Sequence, residues 1–274
     1  MLTWENYADQ WAALHGGVDP RSARPEVRRF ARAAYQTGKV LARLRVPPAV
    51  VTAAGLLLAV ATPVLAVRHG GWPALAAVLV LASAAADGVD GAVAVIAGRT
   101  SALGYVYDAL ADRLSELCWL LALWLVGVPG WLAVLGLAVA WLHEYVRARA
   151  AGAGMAEIGV LTLAERPTRV VLAAGGLLLA ALGALFNRDV SAGSATLVAG
   201  VWVIVGLVGL VQLLVAVVRA LRTAAPPVGA PPTVPAAGPA TGSAQDAPTE
   251  DLSPGRARPE REAETLPLLL DPRE

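Results

Sequence analysis

The stretch from Asp87 to Asp112, DGVDGAVAVIAGRTSALGYVYDALAD, places four aspartates between two long apolar segments. The chain has 274 residues, of which 57% are hydrophobic. Its mean hydropathy of +0.59 is too high for an ordinary soluble domain. Because a charged side chain at membrane depth costs at least about 2–3 kcal/mol, the stretch predicts a functional site inside a membrane.

Apolar runs of about twenty residues, the length that crosses a hydrocarbon core, recur along the chain. They are continuous and do not alternate with polar residues, which disfavours a β-barrel. The pattern predicts an all-α, polytopic membrane protein with six transmembrane helices. These lie near 47–67, 73–97, 101–126, 130–150, 168–186 and 194–218.

Four segments follow from this pattern. Residues 1–25 are expected to be a loose cytosolic lead-in, and 26–45 form a basic amphipathic juxtamembrane helix suited to an anionic leaflet. Residues 46–222 form the membrane domain. The tail, 223–274, is rich in Pro and Ala and is expected to be disordered. Arginines concentrate in the loops on one side of the predicted membrane, and the positive-inside rule places that side in the cytosol. We therefore expect a plasma-membrane protein with both termini in the cytosol.

The four aspartates are spaced for two helix faces. Asp87 and Asp90 are three residues apart, and Asp108 and Asp112 are four apart, so each pair shares a face. The two pairs are equally distant from the loop near residue 99. In an antiparallel hairpin they would form one layer, roughly 15 Å inward from the loop tip at 1.5 Å per residue.

Four carboxylates in a low dielectric repel one another and require positive charge. Hard divalent cations with oxygen ligands, Mg²⁺ or Mn²⁺, satisfy this need, and two such ions are expected to clamp phosphate oxygens. Gly91 and Gly104 leave room beside the carboxylates for a bulky ligand. The alternative is that the carboxylates are structural and face a polar bundle interior.

The spacing Asp87-x2-Asp90-Gly91-x2-Ala94, followed by Gly104-x3-Asp108-x3-Asp112, resembles the signature of the CDP-alcohol phosphotransferases. Val95 occupies the position of an Arg in that signature, and Arg99, one turn on, is a candidate substitute. The resemblance implies a six-helix fold, usually dimeric. It implies divalent metals at Asp87, Asp90, Asp108 and Asp112, with Asp112 as general base. The implied CDP-binding set is Asp87, Asp90, Gly91, Ala94, Gly104 and Asp108.

A second stretch, from His143 to Arg169, is similar to a region of actinobacterial phosphatidylinositol phosphate synthases. The resemblance implies that Arg147, Arg166 and, more loosely, Arg219 hold the phosphate of the acceptor. The competing interpretation is that these arginines anchor helices at the interface. Glu144 replaces a Ser of those synthases and adds negative charge, and Glu165 is a candidate partner of Arg166 or Arg169.

The function implied is transfer of a phosphatidyl group from CDP-diacylglycerol to a small polar, phosphorylated alcohol, such as inositol phosphate or glycerol 3-phosphate, with release of CMP. Membrane lipid and a second copy of the chain are the other expected partners, and no nucleic acid is expected. Two alternatives stay open at this point. One is a diverged, weakly active or inactive family member with a binding role, and the other is a divalent-cation transporter.

Overall fold

The computed structural model describes residues 2–14, 17–155 and 162–223. Within these ranges the chain forms α-helices and no strand, which confirms the predicted all-α class. The tail predicted from residue 223 lies, beyond Thr223, outside the described residues. The helices are α1 (Trp4–Leu14), α2 (Pro25–Arg43), α3 (Pro48–Ala66), α4 (Trp72–Ile96), α5 (Ala102–Leu125), α6 (Gly130–Gly152), α7 (Arg166–Gly183) and α8 (Arg188–Thr223).

The helix boundaries follow from local chemistry. Prolines lie in the first turn of α2, α3, α4 and α7, where the missing N–H costs nothing. Ser101 caps α5 by accepting a hydrogen bond from the backbone N–H of Gly104 at 3.0 Å. Gly98 ends the α4 segment with a positive φ of 63°, a conformation that glycine adopts without strain. These signals set the boundaries of α4 and α5, the two helices that carry the four aspartates.

Helices α3, α4, α7 and α8 are long and apolar enough to cross a membrane. Helices α5 and α6 have 24 and 23 residues, which is also enough length, but their charged residues lower the mean hydropathy. The chain is therefore a polytopic membrane protein, and the count of six spans stays a prediction. Helix α8, with 36 residues, extends well beyond the predicted span.

The membrane bundle packs around Trp119, Leu123, Leu177 and Trp202, all fully buried side chains from α5, α7 and α8. Small residues let helices approach closely. A Cβ on Gly55 of α3 would lie 3.1 Å from the Cβ of Ala86 on α4. Helix α5 packs mainly on α3 and only lightly on α4, so a cleft separates the two aspartate-bearing helices.

The lead-in differs from the loose segment that we expected, because α1 is an ordered helix. Tyr7 of α1, Tyr35 of α2 and Val95 of α4 belong to one buried cluster, and the rings of Tyr7 and Tyr35 are 5.2 Å apart. Arg21 secures the segment by pairing with three carboxylates. These contacts join residues distant in sequence, which is why the local pattern did not predict them.

Candidate active site

Three of the four motif aspartates converge on one point between α4 and α5. Each of Asp87, Asp90 and Asp108 offers a carboxylate oxygen, and these oxygens all lie within 4.8 Å of one another. Asp87 and Asp90 line a cleft together with Asp112 of α5 and Thr52 of α3. The convergence follows from the helical spacing and from the equal distance of the two pairs from the turn that joins α4 and α5.

Asp90 is the most deeply placed of the three, with 5% of its surface exposed. The hydroxyl of Thr52 donates a hydrogen bond to its Oδ2 at 2.5 Å. The close approach of α3 to α4 at Gly55, one turn along from Thr52, brings the hydroxyl within reach. Thr52 therefore fixes the orientation of Asp90.

The donor set fits a divalent cation. Oxygen-only ligands at this mutual distance are typical of Mg²⁺ and Mn²⁺ sites. The Oδ1 atom of Asp108 is buried, and among the described residues it has no hydrogen-bond partner. A buried carboxylate oxygen of this kind is costly unless something positive contacts it. Among the residues that the structure describes, Asp87, Asp90 and Asp108 thus form a group that could hold a metal ion.

Asp112 lies beside this group and contacts Arg166. The guanidinium Nη2 of Arg166 is 2.5 Å from Asp112 Oδ1, and its Nη1 donates a hydrogen bond to Asp87. Arg166 therefore joins the aspartates of α4 and α5 from the first turn of α7. Arg166 was predicted to hold the acceptor phosphate, and its pairing with Asp87 and Asp112 was not predicted.

A buried layer of charge continues from the aspartates toward α6 and α7. Glu116, fully buried on α5, lies 2.9 Å from Arg113 Nη1 and 2.9 Å from Arg169 Nε. Arg169 also donates a hydrogen bond to Glu144 at 2.9 Å. The contacts of Glu116 are close ion pairs without the alignment of hydrogen bonds. Glu116 follows Asp112 by one helical turn but was not among the predicted site residues.

The negative charge of Glu144 is thus compensated by Arg169.

Besides Arg166, two arginines were predicted to hold the acceptor phosphate, and they lie in different surroundings. Arg147 pairs with Glu165 at 2.6 Å, whereas Glu165 was predicted to contact Arg166 or Arg169. Arg219 is exposed near the end of α8. The assignment of Arg147, Arg166 and Arg219 to an acceptor phosphate therefore stays a prediction.

The family model for CDP-alcohol phosphatidyltransferase matches residues 45–210, which include the cleft and the charged layer. The chain belongs to the CDP-alcohol phosphatidyltransferase family. It is therefore a transferase of phospholipid biosynthesis, and the predicted family and reaction class are confirmed.

Two relatives have similar sequences. One is a phosphatidylinositol phosphate synthase of Corynebacterium glutamicum, 32% identical over 163 residues, which are 56% of this chain and 72% of the relative. The other is an archaetidylinositol phosphate synthase of Pyrococcus horikoshii, 32% identical over 138 residues, which are 49% of this chain and 71% of the relative.

Two crystal structures share the fold. Both are of Mycobacterium tuberculosis phosphatidylinositol phosphate synthase and are 24% identical to this chain, of which each covers 68%. The complex with manganese and citrate has a TM-score of 0.56 over 90% of its chain. The structure with CDP-DAG bound has a TM-score of 0.55 over 94% of its chain. At this identity, the likeness establishes a common fold.

The remaining positions of the family motif lie on α4 and α5. A Cβ on Gly91 would meet open space, whereas one on Gly104 would lie 3.1 Å from the hydroxyl of its cap, Ser101. Val95, at the position of the family's Arg, is only 6% exposed within the cluster that includes α1. The departure from the motif is therefore accommodated by apolar packing, and Arg99 is exposed nearby.

Proposed function

We propose that this family member transfers the phosphatidyl group of CDP-diacylglycerol to the hydroxyl of a small phosphorylated alcohol and releases CMP. The observation that carries the proposal is the convergence of Asp87, Asp90 and Asp108 between α4 and α5, beside a cleft that Asp87, Asp90 and Asp112 line. A recessed site in a membrane protein suits this pair of substrates, because the acyl chains stay in the bilayer while the head group enters the cleft.

In this proposal, Asp87, Asp90 and Asp108 hold Mg²⁺ or Mn²⁺, as one ion or two. The cation would neutralise charge on the diphosphate and on the departing phosphate. Gly91, Ala94 and Gly104 face the CDP portion, where the lack of bulk lets the ligand approach the backbone. Thr52 maintains the orientation of Asp90 through its short hydrogen bond.

Asp112 accepts the proton of the acceptor hydroxyl, whose oxygen forms a bond to the β-phosphorus of the donor. The bond between that phosphorus and the bridging oxygen breaks, and CMP leaves with the electron pair. Arg166 is close enough to Asp112 to hold the carboxylate in place. A contribution of Asp112 to metal binding is part of the same proposal.

The acceptor phosphate is proposed to contact Arg147 and Arg166, with Arg219 as a third cation. Guanidinium groups recognise phosphate with paired N–H donors. Arg147 and Arg166 already have carboxylate partners, so the phosphate must share them or displace Glu165. Because both relatives are named for inositol phosphate products, we propose an inositol phosphate as the acceptor and glycerol 3-phosphate as the competitor to exclude.

We further propose a plasma-membrane enzyme with six spans, cytosolic termini and a cleft that opens to the cytosol. The proposed organisation keeps 1–25 and 26–45 as juxtamembrane segments, 46–222 as the catalytic domain and 223–274 as a cytosolic tail. The functional unit is a homodimer. The concentration of arginines at one end of the helices supports the orientation.

The test is CMP release by purified protein with CDP-diacylglycerol, Mg²⁺ or Mn²⁺, and each acceptor in turn. Asp108→Asn should abolish transfer without lowering the unfolding temperature, because it keeps the side-chain shape. Asp189→Asn, on the first turn of α8, is the matched control and should retain activity. Wild-type protein that releases no CMP with any acceptor would favour an inactive or transporting relative and refute the proposal.

A further inference from the structure

Glu116 has no part in the reaction as described so far, yet it is a carboxylate with none of its surface exposed inside a membrane helix bundle. Removing such a group from water is expensive unless its partners are well placed. Its two oxygens contact two different arginines at the same short distance. Oε1 is 2.9 Å from Arg169 Nε, and Oε2 is 2.9 Å from Arg113 Nη1.

Both arginines lead back to Asp112. Arg113 is adjacent to Asp112 in the chain, and its Nη2 lies 3.9 Å from Asp112 Oδ2. Arg169 is one turn from Arg166 on α7, and Arg166 Nη2 lies 2.5 Å from Asp112 Oδ1. Since Asp112 and Glu116 are themselves one turn apart on α5, the contacts close a ring between α5 and α7.

We propose that Glu116 is a positioning residue for phosphatidyl transfer, which holds the first turn of α7 against α5 so that Arg166 and Asp112 keep their relative placement. This inference rests on the proposed function of Asp112 and Arg166. Arg169 of α7 also pairs with Glu144 of α6 at 2.9 Å, so this arginine joins α7 to both α5 and α6.

A purely structural role and a positioning role predict different kinetics. If Glu116 only stabilised the fold, Glu116→Gln would reduce the amount of active protein and leave both KM values unchanged. The ring instead predicts that Glu116→Gln lowers kcat through Asp112 and raises the acceptor KM about tenfold through Arg166, a larger change than in the donor KM. Glu116→Asp retains the charge but not the full reach, and should give an intermediate acceptor KM.

The ring is also testable without substrates. Glu116 and Arg166 are not in direct contact, yet each substitution opens the same ring. The unfolding temperature of Glu116→Gln/Arg166→Gln should therefore fall by clearly less than the sum of the two single losses. The matched control is Glu5→Gln, which removes an exposed partner of Arg21 and should be additive with Arg166→Gln.

These measurements separate the two proposals. Additive losses of unfolding temperature for Glu116→Gln and Arg166→Gln would overturn the ring, whether or not the enzyme is active. An unchanged acceptor KM in an active Glu116→Gln variant would overturn the positioning role. Wild-type protein that is inactive with every acceptor would overturn the proposed function. The comparison of unfolding temperatures between the single and double variants would still show whether the ring exists.

Discussion

Thr52→Val tests how the buried carboxylate Asp90 is held for metal binding. Valine matches threonine in shape and removes the hydroxyl that donates to Asp90 Oδ2 at 2.5 Å. The same hydroxyl oxygen lies 3.2 Å from the carbonyl of Pro48, and its single proton serves the closer, charged acceptor. The substitution therefore removes a charge-assisted hydrogen bond and leaves the helix backbone intact.

The magnitude follows from the kind of bond that is lost. Hydrogen bonds to charged groups contribute about 1.5–3 kcal/mol, and each 1.4 kcal/mol is a factor of ten in an equilibrium constant. Loss of the Thr52 bond should therefore weaken Mn²⁺ binding roughly 10- to 100-fold, the range seen when groups that orient metal ligands are removed. Thr52→Ser, which keeps the hydroxyl, should recover most of the affinity.

The assay is a titration of purified protein with Mn²⁺, in which free Mn²⁺ is measured by electron paramagnetic resonance. Thr62→Val is the matched control, because Thr62 is also buried on α3 but donates only to the carbonyl of Leu58 at 3.2 Å. It should bind Mn²⁺ as the wild type does. Equal affinities for Thr52→Val and Thr62→Val would refute the role given to Thr52.

Three further predictions concern packing and the N-terminal segment. Gly209→Ala should destabilise the protein by about 1–3 kcal/mol in thermal unfolding, because a Cβ there would lie 2.9 Å from the backbone N of Ala164, whereas Gly200→Ala meets open space and should not destabilise. Val95→Arg should cost more than about 2 kcal/mol and fail to raise activity, since it buries a charge beneath α1; a gain in CMP release would contradict this. Hydrogen bonds from Arg21 lower the pKa of Asp19 below its ordinary 3.8. The ionised Asp19 therefore contributes its full stabilisation above pH 3.8, and this stabilisation is lost as the pH falls through the lowered pKa. Trp4 fluorescence should report loosening of α1 below pH 3.8, and Arg21→Gln should remove this dependence.

The helices and the aspartate cluster were predictable from the sequence because both depend on short-range spacing. Apolar runs bounded by Gly and Pro gave all six helices of the membrane domain within a few residues, apart from the longer α8. The three- and four-residue intervals placed each aspartate pair on one face. The equal distance of the pairs from the turn near residue 99 then brought three carboxylates together.

The pairing of charges was not predictable in the same way. Arg166 meets Asp87 and Asp112 because α7 packs beside α4 and α5, and that arrangement is set by contacts between helices far apart in sequence. The same reason applies to α1, whose order depends on the aromatic cluster and on Arg21. The ion pairing of Glu116 could have been predicted from the sequence, because an acidic residue one turn after Asp112 in an apolar segment requires a buried partner.

We propose above all that Asp87, Asp90 and Asp108 together hold the divalent cation of a phosphatidyl transferase. Anomalous diffraction from crystals grown with Mn²⁺ and CDP-diacylglycerol tests it most directly. We predict a manganese peak between α4 and α5, at coordination distance from an oxygen of each of these three aspartates and beside the diphosphate. A diphosphate bound elsewhere, or a manganese peak away from these carboxylates, would contradict the account.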